Sequence, residues 1–582
     1  MWVSWQSVRR SGVEGRGGGT GCLHSLRGSL AAAVRGAREG VTEWTGPAQG
    51  VCLLALAVAL AAFSGCAIRR TAGAPPAARA LAHPEETSLG RQAAAQTQTH
   101  PGQTGVCLLD SNLKAFQARV ELADAAQKTL DVQSYIIWGD HTGRMLAGRI
   151  LAAADRGVRV RILVDDVQMV WRDSWITRLD AHPNIELRVF NPFLGTRTFA
   201  LLVLWDFLEA GRLSRRMHNK MFAADNAVAI MGGRNIGDEY FAARTDLNFE
   251  DLDVLVIGPA VPELSRSFDD FWNSEWAYPV GDWKSEKEKA KDIRKARQGV
   301  ETQRTKDSQS FFAEALAQEE LLPPLLGGQL PWDWADTRVV YDRPKKITGG
   351  SGREGGIRVV PEVWSLVESV QDELIVISPY FVPGAQGMAL FRQLRRRGVR
   401  IRILTNSLGS TDTAVAQTGY ARYRAALLRE GIELYELRPT AMSRPLDRRW
   451  LRRHATRPQT SLHAKAYIFD RKTVFVGSMN LDQRAHYLNT ELGLIIHGPS
   501  VAGKIAGMFE ESILPQHSYR MALEPFHAAG CPKHAADPVG EWPVWVTEEK
   551  GQVIHHAHEP NVSPLRKVWT SFLQLLPLEG QL

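Results

Sequence analysis

The stretch SLHAKAYIFDRKTVFVGSMN, residues 461–480, reads as strand, turn, strand, with two cations and an acid at fixed offsets. His463 and Lys465 are two apart, so on an extended strand both side chains point to one face. Asp470 follows, and a second apolar run ends at Gly477, Ser478 and Asn480, where a strand end presents a small polar site. One such pair would mean little. Residues 216–235, RMHNKMFAADNAVAIMGGRN, repeat the pattern with His218, Lys220, Asp225, Gly232, Gly233 and Asn235. His to Asn is 17 residues in both copies, and the copies lie 245 residues apart. Identical internal spacing marks an internal repeat with a shared site.

The duplication extends beyond the motif. LDVQSYII (130–137) matches LIVISPYFVPG (374–384), ADRGVRVRILVDD matches RRRGVRIRILTNS (395–407), and IELRVFNP matches IELYELRP (432–439). Apolar residues at helical spacing over 113–128 and 143–156 alternate with strands at 130–137, 158–166 and 185–193. Helices between strands predict a parallel or mixed sheet covered on both faces.

The pattern HxK(x)4D then (x)6G[GS]xN, twice in one chain, resembles the phospholipase D superfamily. GGRNIGDEYF after the first motif and LNTELGLII after the second resemble bacterial cardiolipin synthases, most of all the lipoprotein-like C-type branch. The resemblance covers roughly 105–525. It implies an α/β fold: two similar α/β/α sandwich domains packed about a pseudo-two-fold axis, with one shared active site. The expected division is a targeting region (1–66), a flexible tether (67–104), a first HxK domain (105–283), a linker (284–355), a second HxK domain (356–525) and a tail (526–582) with an amphipathic helix. Alternating charges at 284–297 predict an exposed helix in the linker.

A phosphodiester repels nucleophiles with its own anionic oxygens, so a site needs cations, a nucleophile and an acid for the leaving alkoxide. Two His, two Lys and two Asn brought together supply all three. Lys220 and Lys465 hold the non-bridging oxygens, helped by Asn235, Asn480, Ser478 and Gly233. One His forms a phosphohistidine; the other protonates the departing oxygen and then activates the incoming alcohol or water. Histidine suits both roles because its pKa is near neutrality. No metal and no cofactor is required. Aligning LDVLVIGP with LGLIIHGP makes Asp251 coincide with Glu491, and these are the expected orienting carboxylates. The resemblance implies that they cross-pair, Glu491 serving His218 and Asp251 serving His463, with His218 as nucleophile. It also implies that Asp225 and Asp470, although part of the catalytic motif, brace the turn.

The 582 residues hold 70 Lys and Arg against 63 Asp and Glu, a net charge of +7, which suits anionic partners: phospholipid headgroups or nucleic acid. The five cysteines show no paired spacing. Thirteen unbroken apolar residues at 51–63 have the length of a signal-peptide core and are short for a spanning helix. Ser64-Gly65-Cys66 then resembles a lipobox with Cys66 lipidated, although Phe63 departs from it; an uncleaved anchor or an ordinary signal peptide are the alternatives. All three place the protein in the bacterial cell envelope, facing the periplasm or exterior. Residues 198–208 read as an apolar lip or a core helix, and the arginines of 438–457 as a phosphate collar or a solvated loop. SPLRKVWTSFLQLLPLEGQL at the C-terminus is a membrane-surface helix or one docked on the domain.

The chain thus reads as a membrane-tethered phosphatidyltransferase acting on phosphatidylglycerol, with phosphatidylethanolamine a second candidate substrate. Rival readings are a phospholipase D hydrolase releasing phosphatidic acid, a nuclease, and a non-catalytic lipid-binding protein. One chain holds both half-sites, so oligomerisation is not required.

Overall fold

The computed structural model describes residues 77–582 apart from 167–174, 193–213, 281–284, 308–311, 313–315, 317–321, 351, 353, 442–457, 526–540, 550 and 575–582. All described residues lie in one compact unit, 74–582. The lipobox with Cys66, the apolar lip at 198–208 and six of the seven collar arginines fall outside the described residues. The seventh, Arg438, is committed elsewhere: it pairs with Glu549 at 2.8 Å and donates to Thr547.

Each half of the chain builds the same sheet. The first uses β1 (Thr104–Leu109), β2 (Thr129–Ser134), β3 (Arg159–Asp165), β4 (Ile185–Phe190), β5 (Met221–Ala224), β6 (Val228–Gly232), β8 (Asp253–Ile257) and β9 (Ala277–Pro279). Their spatial order is β1-β8-β6-β5-β2-β3-β4-β9, with β2, β3 and β4 parallel and the other pairs antiparallel. The second half repeats this with β10 (Asp333–Tyr341), β11 (Glu373–Ile377), β12 (Arg400–Asn406), β13 (Glu433–Leu437), β15 (Ala466–Phe469), β16 (Thr473–Gly477), β17 (Leu492–His497) and β18 (Ser518–Pro525), in the order β10-β17-β16-β15-β11-β12-β13-β18. Strands β1 and β10 pair antiparallel, Gly105 opposite Trp334, and join the halves into one continuous sheet.

Helices cover the faces as the apolar spacing predicts. Helices α2 (Asn112–Ala125) and α3 (His141–Asp155) close a core on the first sheet, and α6 (Val359–Ser369) and α7 (Gly384–Arg396) close one on the second. Helices α4 (Ala260–Trp272) and α9 (Pro499–Ser512) fill a third core shared by both halves, where Phe268, Phe271 and Trp272 meet a body that includes Val474, Ile496 and Phe509. The alternation of VRVRILVDD would leave Arg161 in solvent. It is 1% exposed, because α4 covers that face and Asp131 and Asp269 hold the guanidinium at 2.7 and 2.8 Å.

Three expected boundaries are corrected. Residues 77–104 are no free tether: α1 (Ser88–Thr97) is capped by Thr87, buries Leu89, and the Ala78 N–H donates to Asn273. An alanine-rich composition hid a docked helix. The span 284–355 does contain a helix, α5 (Glu286–Asp307), but Ile293, Ala296 and Val300 pack one of its faces on the first core, and the span also carries β10, in the middle of the whole sheet. The span 526–582 is more than a tail: β19 (Glu541–Glu549) and β20 (Gln552–His556) extend the second sheet beyond β18.

Asp225 and Asp470 sit at the hairpin tips with left-handed backbone, φ 53° and 50°. Each carboxylate accepts the N–H groups that open a parallel strand: Gln127, Lys128 and Thr129 for Asp225, and Gln371, Asp372 and Glu373 for Asp470. They lock the two hairpins to β2 and β11 and make no contact with the motif histidines. Asp225 is fully buried and Asp470 half-buried. Asp225→Ala therefore strands buried donors and should cost about 2–3 kcal/mol, with Asp470→Ala costing less. A larger fall in thermal midpoint for Asp470→Ala would contradict this ranking.

Candidate active site

The backbone crosses between the halves just before each HxK. Strand β14 (Gln459–Leu462) runs parallel to β7 (Leu247–Glu250), and the His463 N–H continues the register to Glu250 O at 2.7 Å. The mirror arrangement is the Met217–Thr490 bridge, with the His218 N–H on Thr490 O at 2.9 Å and the Thr490 N–H on Arg216 O at 2.8 Å. Each histidine is thus pinned one residue from the acid of the opposite half. His218 Nδ1 lies 2.9 Å from Glu491, and His463 Nδ1 lies 2.5 Å from Asp251. Each lysine folds back on its own histidine: Lys220 Nζ donates to His218 O at 2.6 Å and Lys465 Nζ to His463 O. All six groups are buried.

The two acids are supported differently. The Ser478 hydroxyl donates to Glu491, and its N–H donates to Leu492 O at 2.9 Å. Gly233 donates its N–H to Leu252 O, and a Cβ there would lie 2.1 Å from Asp251 Oδ1. Ser478 and Gly233 were expected on the phosphate. Both contact the orienting carboxylates: the serine donates to the longer glutamate, and the glycine leaves room for the shorter aspartate. Asn235 donates to the Tyr240 hydroxyl at 2.8 Å, and the amide oxygens of Asn235 and Asn480 have no partner among the described residues.

Several neighbours were invisible to the repeat because they occur in one half only. Tyr135 packs edge-on to His218 and offers its ring face to Lys220. Tyr240 and Phe249 flank His463. Arg234, inside the GGRN word, binds the backbone of Asp251 and Leu109 and so holds the loop that carries the acid. Asp342, from the expected linker, accepts the Glu491 N–H at 3.1 Å, forms a fully buried pair with Lys346 at 2.7 Å, and accepts two N–H groups at the start of α6. A short acidic side chain just after the alternating strand DTRVVY was the available signal for it.

Burial dominates the electrostatics. It pushes Lys220 down to about 7 and Lys465 down to about 8, with Glu491 and Asp251 acting against the shift. Burial raises Glu491 to about 7 despite Lys220 nearby. Burial and Lys465 bring His463 to about 4, while Asp251 and Asp412 favour its cation. Burial, Lys220, Lys465 and Arg484 hold His218 well below the usual imidazole range. Before substrate enters, both imidazoles are therefore neutral near pH 7. With Nδ1–H donated to a carboxylate, each keeps a lone pair on Nε2, the form a nucleophile or base requires.

A lysine whose pKa is lowered loses its charge as pH rises through the lowered value, here about 7–8 in place of 10.5. Capture of an anionic phosphodiester by the free enzyme should weaken over that range. We expect kcat/KM to fall on the alkaline side from about pH 7–8. A kcat/KM that stays level up to pH 10 would show that the buried lysines keep their protons.

A family described as "Cardiolipin synthase, PLD-like domain" matches twice, at residues 120–272 and 363–513, once on each half-site. The chain is 37% identical to cardiolipin synthase C of Escherichia coli over 490 residues, 82% of this chain and 96% of that protein. It is 31% identical over 501 residues to an uncharacterized protein of Helicobacter pylori, 85% of this chain and 93% of that one. Among solved structures, phosphatidylserine synthase from Haemophilus influenzae covers 84% of this chain and all of its own, with a TM-score of 0.50 at 14% identity, and so shares the fold. With two matched repeats converging on one pair of histidines, the chain belongs to the cardiolipin synthase family of the phospholipase D superfamily.

Proposed function

We propose that the protein is a phosphatidyltransferase that moves a phosphatidyl group between phospholipids through a phosphohistidine on His218. The observation that carries the assignment of roles is the unequal surroundings of the two histidines. Burial, then the cations Lys220, Lys465 and Arg484, hold His218 neutral beside Glu491, the form a nucleophile needs. His463 faces two carboxylates, Asp251 and Asp412, which favour its cation once a phosphodiester anion offsets the lysines. His218 Nε2 attacks phosphorus, the bond to the leaving glycerol or ethanolamine oxygen breaks, and His463 gives that oxygen a proton. His463 then takes the proton of the incoming hydroxyl as its oxygen displaces His218. Lys220, Lys465, Asn235 and Asn480 hold the non-bridging oxygens.

Phosphatidylglycerol is the expected acceptor, and a second phosphatidylglycerol or a phosphatidylethanolamine the donor. An apolar cavity of about 270 Å³, lined by Val363, Trp364, Phe391 and Met479, adjoins Asn480 and suits an acyl chain. Tethering through residues 51–66 belongs to the same reading. Among the described residues no helix is long and apolar enough to cross a membrane. Cys66→Ser should then abolish incorporation of an alkyne-tagged fatty acid into the protein in expressing bacteria, and undiminished labelling would remove the lipid anchor from the reading.

The decisive assay is lipid mass spectrometry after incubation with phosphatidylglycerol vesicles, with and without phosphatidylethanolamine. Cardiolipin from the wild type alone, with His218→Ala and His463→Ala inactive, supports transfer. Phosphatidic acid without cardiolipin supports the hydrolase. The histidine roles separate on a phosphatidyl-p-nitrophenol substrate, whose leaving group needs no proton. There His463→Ala should still release nitrophenol and accumulate an acid-labile phosphatidyl-enzyme, while His218→Ala should do neither. The reverse pattern would exchange the roles.

A further inference from the structure

Helix α10 (Pro564–Gln574) carries its apolar stripe on the wrong side for a helix that stabilises a core. Leu565, Val568, Trp569 and Phe572 fall at i, i+3, i+4 and i+7, the spacing that normally faces inward. Here they are 84, 69, 55 and 50% exposed, and the Trp569 and Phe572 rings stack on each other at the surface. The opposite face docks: Thr570 and Leu573 are buried, and α8 (Ala414–Ala421) packs beneath. A contiguous outward apolar stripe is a feature that soluble surfaces avoid unless it is used.

The helix is also rigidly mounted. Glu559, five residues before it, pairs at 2.6 Å with Arg424, which is itself buried against Glu436 at 2.8 Å. Asn561 turns the chain with φ 56° and donates to the Tyr519 hydroxyl. Arg566 donates to the Thr411 carbonyl. That carbonyl belongs to the loop that leaves β12 at Asn406, whose side chain donates to the Leu462 carbonyl and accepts the Leu462 N–H, one residue before His463. The stripe is therefore fixed to the rim of the catalytic site.

We propose that α10 is the surface by which this enzyme docks on a phospholipid bilayer, seating Leu565, Val568, Trp569 and Phe572 among the headgroups and upper acyl chains beside the site. The proposal rests on the phosphatidyltransferase reading, which supplies a substrate that lives in a bilayer. Trp and Phe on one face with Lys567 on the polar side and no acidic residue along the helix is the composition of an interfacial helix, and the absence of negative charge suits an anionic surface. A second copy of the chain is a poorer occupant. Eleven residues make a face about 16 Å long and about 10 Å wide, a footprint of about 160 Å², far short of the roughly 800 Å² per partner that a stable interface buries.

The test uses the full chain on phosphatidylglycerol vesicles containing a lipid with a photoactivatable diazirine in one acyl chain. Peptide mapping after irradiation should find adducts within 565–572. Adducts confined to other segments would overturn the proposal, whatever the enzyme catalyses. In parallel, a Leu565→Asp/Trp569→Asp double variant, altered only at exposed positions, should lose about tenfold or more of its turnover on vesicles, and stay within about twofold of wild type on detergent mixed micelles. Equal turnover on vesicles overturns the proposal, as does a concentration-dependent dimer that the double variant abolishes. A wild type that transfers nothing in micelles refutes the phosphatidyltransferase reading, and the adduct map still decides the helix.

Discussion

The reciprocal backbone pairing ahead of the two HxK segments is the constraint on which the site depends. A histidine that must be neutral, oriented and buried needs a carboxylate on Nδ1, and that carboxylate must be held at least as firmly as the ring. Here the N–H of His218 bonds the residue before Glu491, and the N–H of His463 bonds the residue before Asp251. Main-chain hydrogen bonds inside a shared apolar core place ring and acid together, so no long side chain has to find its partner by searching. The same crossings make each half incomplete. Neither repeat can orient its own histidine, and the pairing of β1 with β10 adds a second seam between them.

Duplication supplies symmetry, and catalysis needs that symmetry broken. A pair of identical imidazoles in identical fields would compete for the same role. The differences are small in sequence and large in effect. Ser478 stands where the first half has Gly233, and Glu491 where it has Asp251. Arg484 lies on one side and Asp412 on the other. In a buried site each such charge acts with little screening, so a few substitutions give the two histidines unequal surroundings. Asp342 extends this logic: a residue between the repeats braces the backbone of one orienting acid through a fully buried pair with Lys346.

The repeat made much of this readable. Equal spacing of His, Lys, Asp, Gly and Asn in two words of the chain identified the motif strands, the hairpin tips and the aligned acids, because a duplicated structure repeats its local requirements. What occurs once stayed hidden. Tyr135, Tyr240 and Asp342 have no matching partner at the same offset, and nothing local marks them as neighbours of the histidines. The helix at 88–97 and the strand at 333–341 read as connectors because their composition is ordinary, and only docking against distant elements makes them part of the sheet and its cover.

By itself the sequence determined the two-fold repeat, the α/β layering and the set of side chains that can handle a phosphodiester, since these follow from periodicity and from the chemistry of residues a few positions apart. The cross-pairing of acids and histidines was implied by the family resemblance; the tertiary structure alone decided at what distance each pair meets, that Ser478 and Gly233 contact the acids, that Asp342 underpins Glu491, and that the stripe of α10 faces outward. Those outcomes depend on burial and on contacts between residues hundreds of positions apart. Local pattern carries no information about burial: the same i, i+3, i+4, i+7 spacing serves a core or a membrane, and only the packing of Thr570 and Leu573 against the domain shows which face was left free.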